Sequence, residues 1–127
     1  MTGALVVGDV LELLDALYPP LAAEAWDVVG LAIGSRVQPV TRIAYAVDCT
    51  IDVLAEARQA GGDLLITHHP PLLRGLTAVD LEHPKGRLVA EALASGVSVL
   101  VAHTNADVPR GGVVDALADV VGLGERR

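Results

Sequence analysis

Two adjacent histidines, His68 and His69, stand at the end of a short apolar run, Leu64 to Ile66, and are followed at once by Pro70-Pro71. The prolines stop regular structure, so the imidazoles are delivered to a stiff turn. Imidazole is the commonest side-chain ligand for divalent metals. A second chemical group, His103-Thr-Asn-Ala-Asp107, follows another apolar run, and a third, Asp48-Cys49-Thr50, follows a run that begins at Arg42. Imidazoles with a carboxylate suit Zn, Fe, Mn, Co or Ni and do not select among them. Neighbouring residues on a strand point to opposite faces. His68 and His69 therefore serve two nearby ions, or one ion after a bend, and the alternation favours a two-metal site. The simpler readings are a polar turn for His68 and His69, a turn residue for Asp107, a residue that orients a ligand for His103, and a solvated loop for His83.

Other chemistries find less support. Asp48 beside Cys49 raises the pKa of the thiol, which disfavours a thiolate nucleophile. Ser35, Ser95 and Ser98 lack a nucleophile-elbow setting. No glycine-rich nucleotide fingerprint is present, and Gly111-Gly112 reads as a tight turn before a helix.

The elements that must position these groups are legible from periodicity. Gly8 to Leu17 predicts a helix capped by Asp9, with Val10, Leu13, Leu14 and Leu17 on its apolar face. Pro19-Pro20 ends it, and Leu21 to Ala25 predicts a second short helix. Strands are expected at Val28–Gly34, Arg42–Val47, Leu64–Ile66 and Val97–Ala102. Helices are expected from Ile51 to Ala60, capped by Thr50, and from Pro84 to Gly96, buried through Leu88, Val89, Ala92 and Leu93. A last helix after Gly111-Gly112 turns Val113, Val114, Leu117 and Val121 inward, Gly122 caps it, and the tail Gly124–Arg127 is loose. Helical connections between strands favour parallel neighbours, and parallel sheets place ligands beyond the carboxyl ends of their strands. The expected fold is an α/β domain over residues 1–127, with a largely parallel or mixed sheet flanked by helices.

Composition narrows the partners. The 127 residues carry a net charge of −7, which argues against nucleic acid as a partner. The chain is 52% hydrophobic yet has no Phe, one Trp and two Tyr, so its core is aliphatic. Cys49 is the single cysteine and excludes an internal disulfide, which fits a reducing compartment. Asp9, Glu12 and Asp15 interrupt the first apolar run, so no secretory pattern is seen. No stretch approaches the roughly 20 apolar residues of a membrane span. A soluble cytoplasmic protein is expected.

Four motifs occur in order: Trp26-Asp-Val-Val-Gly-Leu31, Val47-Asp-Cys-Thr50, Ile66-Thr-His-His-Pro70 and Ala102-His-Thr-Asn-Ala-Asp107. Together with Gly111-Gly112 and Leu117 they resemble the Nif-three-like dinuclear metal-centre family, often labelled GTP cyclohydrolase 1 type 2 homologues. The resemblance covers nearly the whole chain. It implies an α/β fold and two divalent metal ions at the strand ends. It implies that His68 and His69 each bind one metal, that Asp107 binds one of them, and that His103 lines the same pocket. It also implies a hexameric homo-oligomer of full-length chains. Val28 stands where the family usually has Asn. Family members are about twice this length or more, and their later half supplies a His and a Glu that complete the site. The chain thus matches the family's N-terminal half, with three of five expected ligands.

Two functions are carried forward. One is a metal-dependent hydrolase acting on a small heterocyclic or phosphorylated compound, with His68, His69 and Asp107 holding metal and His103 orienting groups or moving protons. The other is a non-catalytic metal-binding, assembly or regulatory protein that acts through partners.

Overall fold

The computed structural model describes residues 3–124. Among the described residues four strands form one sheet: β1 (Gly30–Ile33), β2 (Ile43–Ala46), β3 (Leu64–Thr67) and β4 (Ser98–Val101). They lie in the order β1-β4-β3-β2. β2, β3 and β4 are parallel, and β1 runs antiparallel to β4. The sheet is therefore mixed, as the α/β expectation allowed. Its one reversed strand matters for the site.

The parallel strands are joined by helices. α2 (Ile51–Gln59) links β2 to β3, and α3 (Pro84–Ser95) links β3 to β4. The Thr50 hydroxyl caps α2 by accepting from the Val53 N–H at 3.2 Å. Pro84 occupies the first turn of α3, and Gly96 ends it in the left-handed region at φ 71°. His83 is not simply solvated: it is the residue before that helix, and its Nδ1 accepts from the Lys85 N–H at 3.3 Å.

Every residue of β3 and β4 is buried. Their side chains alternate between two aliphatic layers. Leu65 and Val99 pack with Leu54 and Ala57 of α2 and Leu88 and Ala92 of α3. Leu64, Ile66 and Leu100 pack with Val7, Val10 and Leu11 of α1 (Val7–Leu17) on the other face. Each such aliphatic side chain contributes roughly 1.5–3 kcal/mol of burial. The near-continuous apolar runs in the sequence are what a sheet covered on both faces requires.

Several local expectations are corrected. α1 begins at Val7, and Asp9 acts from inside its first turn, where its carboxylate accepts the Val6 N–H at 2.9 Å. Its buried stripe is Val7, Val10 and Leu11, with Leu14 half-buried, while Leu13 and Leu17 are exposed. Residues 21–25 do not form a helix beyond a single 3₁₀ turn, Pro20–Ala22, because a lone turn after two prolines gains too few bonds to propagate. Leu93 of α3 is exposed. The last helix, α5 (Val113–Val120), buries only Ala118 among its own residues, and Val113, Val114, Leu117 and Val121 face outward. It packs on the short α4 (Thr104–Asp107) rather than on the sheet, so its apolar side has no layer to meet. Gly122 follows α5 at φ 75°. Of the expected loose tail, Glu125–Arg127 lie outside the described residues. Among the described residues no helix is long and apolar enough to cross a membrane.

At the sheet end remote from the histidines, β1 and β4 approach closely. Gly34 has φ 111°, and a Cβ added there would overlap the Ser98 hydroxyl and backbone. That hydroxyl donates to Gln38 Oε1 at 2.7 Å, and Gln38 Nε2 donates to the carbonyls of Asp63 and Gly96. Gly34→Ala is expected to destabilise the chain by about 1–3 kcal/mol, since it adds backbone strain and a clash together. Leu65→Ala is expected to cost about 2–5 kcal/mol. Urea unfolding midpoints of the two variants check both figures.

Candidate metal centre

Parallel pairing puts the carboxyl ends of β2, β3 and β4 side by side. Ala46 pairs with Thr67, and Thr67 with Val101. Two residues beyond these partners stand Asp48, His69 and His103. The histidine strand ends at Thr67, and His68 and His69 lie in the bend that follows. The strict alternation of a strand therefore does not apply to them. Their rings are tilted towards each other, with centroids 5.2 Å apart. The pair therefore sits in the bend that the one-ion alternative requires, and not on opposed strand faces.

His103 completes a triangle. Its ring centroid is 5.1 Å from that of His68 and 5.6 Å from that of His69. One ring nitrogen from each of the three lies within 4.8 Å of those of the other two. Which nitrogen faces inward follows from what holds the other. His68 Nδ1 donates to the Ala102 carbonyl at 2.9 Å. His69 Nδ1 meets Asp48 Oδ1 at 2.8 Å. His103 Nδ1 meets Asp27 Oδ1 at 2.9 Å. A carbonyl or carboxylate oxygen can only accept, so in the neutral ring each Nδ1 keeps the proton and each Nε2 keeps its lone pair. Three imidazoles held from behind with their lone pairs converging is the usual preparation of a nitrogen-ligated metal.

Asp107, the last residue of α4, brings a carboxylate to the same place. Its Oδ1 is 3.7 Å from His68 Nε2. That exceeds a hydrogen bond. It is close to the separation, on the order of 3.4 Å, of two donors bonded at about 2.1 Å to one tetrahedral ion. The donor set thus fits a divalent cation, and three carboxylates near the imidazoles (Asp27, Asp48 and Asp107) favour positive charge.

Two supporting residues carried no assigned role in the sequence reading. Asp48, considered from the sequence only for its effect on Cys49, holds His69. Asp27, from the segment before β1, holds His103. Its carboxylate also accepts from the amides of Val28 and Thr104, at 2.8 and 3.0 Å, and from the Thr104 hydroxyl. The Asp27 side chain is 0% exposed. Burial alone would raise its pKa, but hydrogen bonds from the Thr104 hydroxyl, His103 and the two amides outweigh it and hold the carboxyl at about 2. Trp26 lays its ring edge-on to His103 at 6.1 Å. Nothing local in the sequence marks Asp27, which lies 76 residues from His103; the only signal was its place in the Trp26-Asp27 motif. Burial pushes the Cys49 thiol up to about 11, a cause other than the neighbouring Asp48 carboxylate.

A groove of about 580 Å³ opens next to His68, lined by Leu14, Leu17, Tyr18, Tyr45, Val47 and Val113 among others. It gives the cluster an apolar flank on the α1 side of the sheet.

Known proteins share this arrangement of chain. The family model described as Duf34/NIF3 (NGG1p interacting factor 3) matches residues 5–127. The chain is 47% identical over 117 residues to a Mycobacterium tuberculosis protein named GTP cyclohydrolase 1 type 2 homolog, a match covering 92% of the chain and 30% of the relative. It is 44% identical over 117 residues to the Streptomyces coelicolor protein of the same name, covering 92% of the chain and 41% of the relative. The crystal structure of a Bacillus cereus protein related to NIF3 superposes with a TM-score of 0.91 at 32% identity, covering 98% of the chain and 34% of that structure. The chain thus spans less than half the length of these relatives.

The depressed Asp27 pKa makes a pH prediction. Its folded value lies below the 3.8 of a free carboxyl, so its stabilisation is fully present above about pH 4 and is lost as pH falls towards 2. Asp27→Asn is expected to be less stable than the parent at pH 6, with the gap closing between pH 4 and 2. Urea midpoints across that range measure it, and a pH-independent gap would contradict the assignment.

Proposed function

Because the chain belongs to the Duf34/NIF3 family, we propose that it binds a divalent metal ion at its strand ends and contributes that centre to hydrolysis of a small heterocyclic or phosphorylated compound. The observation that carries the reading is the trio of imidazoles, one ring nitrogen of each within 4.8 Å of the others and each Nδ1 tied to a protein acceptor. His68 and His69 supply two nitrogen donors, and Asp107 supplies a carboxylate. His103, expected from the sequence to orient groups or move protons, presents its Nε2 in the same cluster and on this reading is a third nitrogen donor.

A metal bound there would lower the pKa of a coordinated water and polarise the bond under attack. The protein's own part is to hold the four donors, to keep each imidazole in one tautomer, and to provide an apolar flank through the groove beside His68. Four donors suffice for one tetrahedral ion. A second ion, implied by the family resemblance, needs donors beyond these four. The outward apolar residues Val114 and Leu117 of α5 and Val121 just after it support a homo-oligomer that covers them.

The second reading, a non-catalytic metal-binding or assembly protein, is favoured by the same exposed apolar helix. A substrate panel with added Mn, Zn, Fe or Co separates the two, because turnover that depends on the ion requires the hydrolase.

Metal content comes first. After loading with Co(II) or Zn(II) and desalting, the untagged 127-residue chain is expected to hold about one equivalent by elemental mass spectrometry. His68→Ala/His69→Ala is expected to lose at least a hundredfold in affinity by calorimetry. Stoichiometric metal in that double variant would remove the site from consideration.

A further inference from the structure

Of the three imidazoles, His103 has the most enclosed support. Its partner Asp27 is 0% exposed, whereas the Asp48 that backs His69 is 63% exposed. His68 is held by a neutral carbonyl. A buried carboxylate behind His103 is costly unless it is satisfied, and Asp27 is satisfied on both oxygens. Oδ1 accepts from the Val28 N–H and His103 Nδ1, while Oδ2 accepts from the Thr104 N–H and hydroxyl. Two of these donors are the backbone amides of Val28 and Thr104.

We propose that Asp27 is a positioning residue that fixes the tautomer and ring plane of His103, keeping its proton on Nδ1 and aiming the Nε2 lone pair into the histidine cluster. The carboxylate itself is anchored by Thr104, the residue next to His103 in the chain. Oxygen and ring therefore move together, and the Trp26 edge contact limits rotation of the ring. The reach of Asp27 is set by the fold. β1 runs antiparallel to β4 with Gly30 opposite Val101, so the segment before β1 arrives at the end of the sheet where β4 delivers His103. An Asn at position 27 would present an amide NH₂ in place of one oxygen. Whichever way it turned, a donor would face a donor. Turning its NH₂ to His103 would make Nδ1 an acceptor and move the ring proton to Nε2, closing off the lone pair. This tautomer claim stands without any metal; only its consequence for affinity rests on the metal reading above.

The test uses the full chain labelled with ¹⁵N-histidine and stripped of metal by chelator. Long-range ¹H–¹⁵N correlation at pH 8 distinguishes the two tautomers, and His103→Gln assigns the signals. His103 is expected to be the Nδ1–H tautomer in the parent, with Asp27→Asn lowering the Nδ1–H to Nε2–H ratio at least tenfold. Asp27→Glu, which retains the charge, restores the ratio in part, and Asp48→Asn leaves it unchanged. An Nε2–H His103 in the parent protein overturns the proposal even if Asp27→Asn does not fold. So does an unchanged tautomer in a folded Asp27→Asn. Co(II) titration then separates the two inferences. Asp27→Asn is expected to bind about 10–100-fold more weakly than the parent. A parent chain that binds no cobalt sinks the metal reading and leaves the tautomer result to decide the role of Asp27. Unaltered affinity together with an unaltered tautomer removes that role.

Discussion

The parallel register of β3 with its two neighbours is the constraint on which the site depends. Thr67 pairs with Ala46 on one side and Val101 on the other. That alignment sets Asp48, His69 and His103 at the same height beyond the sheet. A slip of one residue would turn every side chain of β3 to the opposite face. It would move Leu65 out of the layer made by α2 and α3, and Leu64 and Ile66 out of the layer made by α1. Burial on both faces thus fixes the register, and the register fixes the chemistry. The aliphatic core and the polar cluster are two consequences of one pairing.

The same pairing explains why the cluster is preorganised without metal. Each imidazole has its Nδ1 occupied by an acceptor that the fold was obliged to place nearby. Ala102, whose carbonyl holds His68, ends the run that contains β4. Asp48 lies just past β2, beside the turn that holds His69. Asp27 precedes the reversed strand. A ring with one nitrogen bound and its partner buried loses little further freedom when a ligand arrives, so less ordering remains to oppose binding. The three supports differ in exposure, and this makes the centre unequal. The His69–Asp48 pair faces water, where its hydrogen bond competes with solvent. The His103–Asp27 pair is shielded, where the same contact is stronger.

Membership of the Duf34/NIF3 family accounts for the fold and for the order of motifs, while the chain spans only 30% to 41% of the two relatives compared above. The outward apolar side of α5 and the groove flanked by Leu17 and Tyr45 are physical features of these 127 residues. They belong to the surface nearest the cluster, since the groove reaches His68. Whatever covers that surface would also lower the dielectric around the site and strengthen its electrostatics.

By itself the sequence determined the strands, the helices that join them and the histidine-bearing strand ends, because these follow from local periodicity, proline and glycine placement and capping residues. It placed His68, His69, His103 and Asp107 in one neighbourhood because parallel strands linked by helices share an end. It misjudged the outward faces of Leu13, Leu93 and the α5 residues, because which side of an amphipathic helix meets a layer is decided by its neighbours and not by its own pattern. Only the tertiary structure decided that β1 is reversed, and so that Asp27 meets His103 across 76 residues. Only it showed that His68 and His69 leave the strand before alternation can part them. Both points rest on contacts between segments distant in sequence or on the geometry of a single bend, neither of which leaves a periodic trace in the chain.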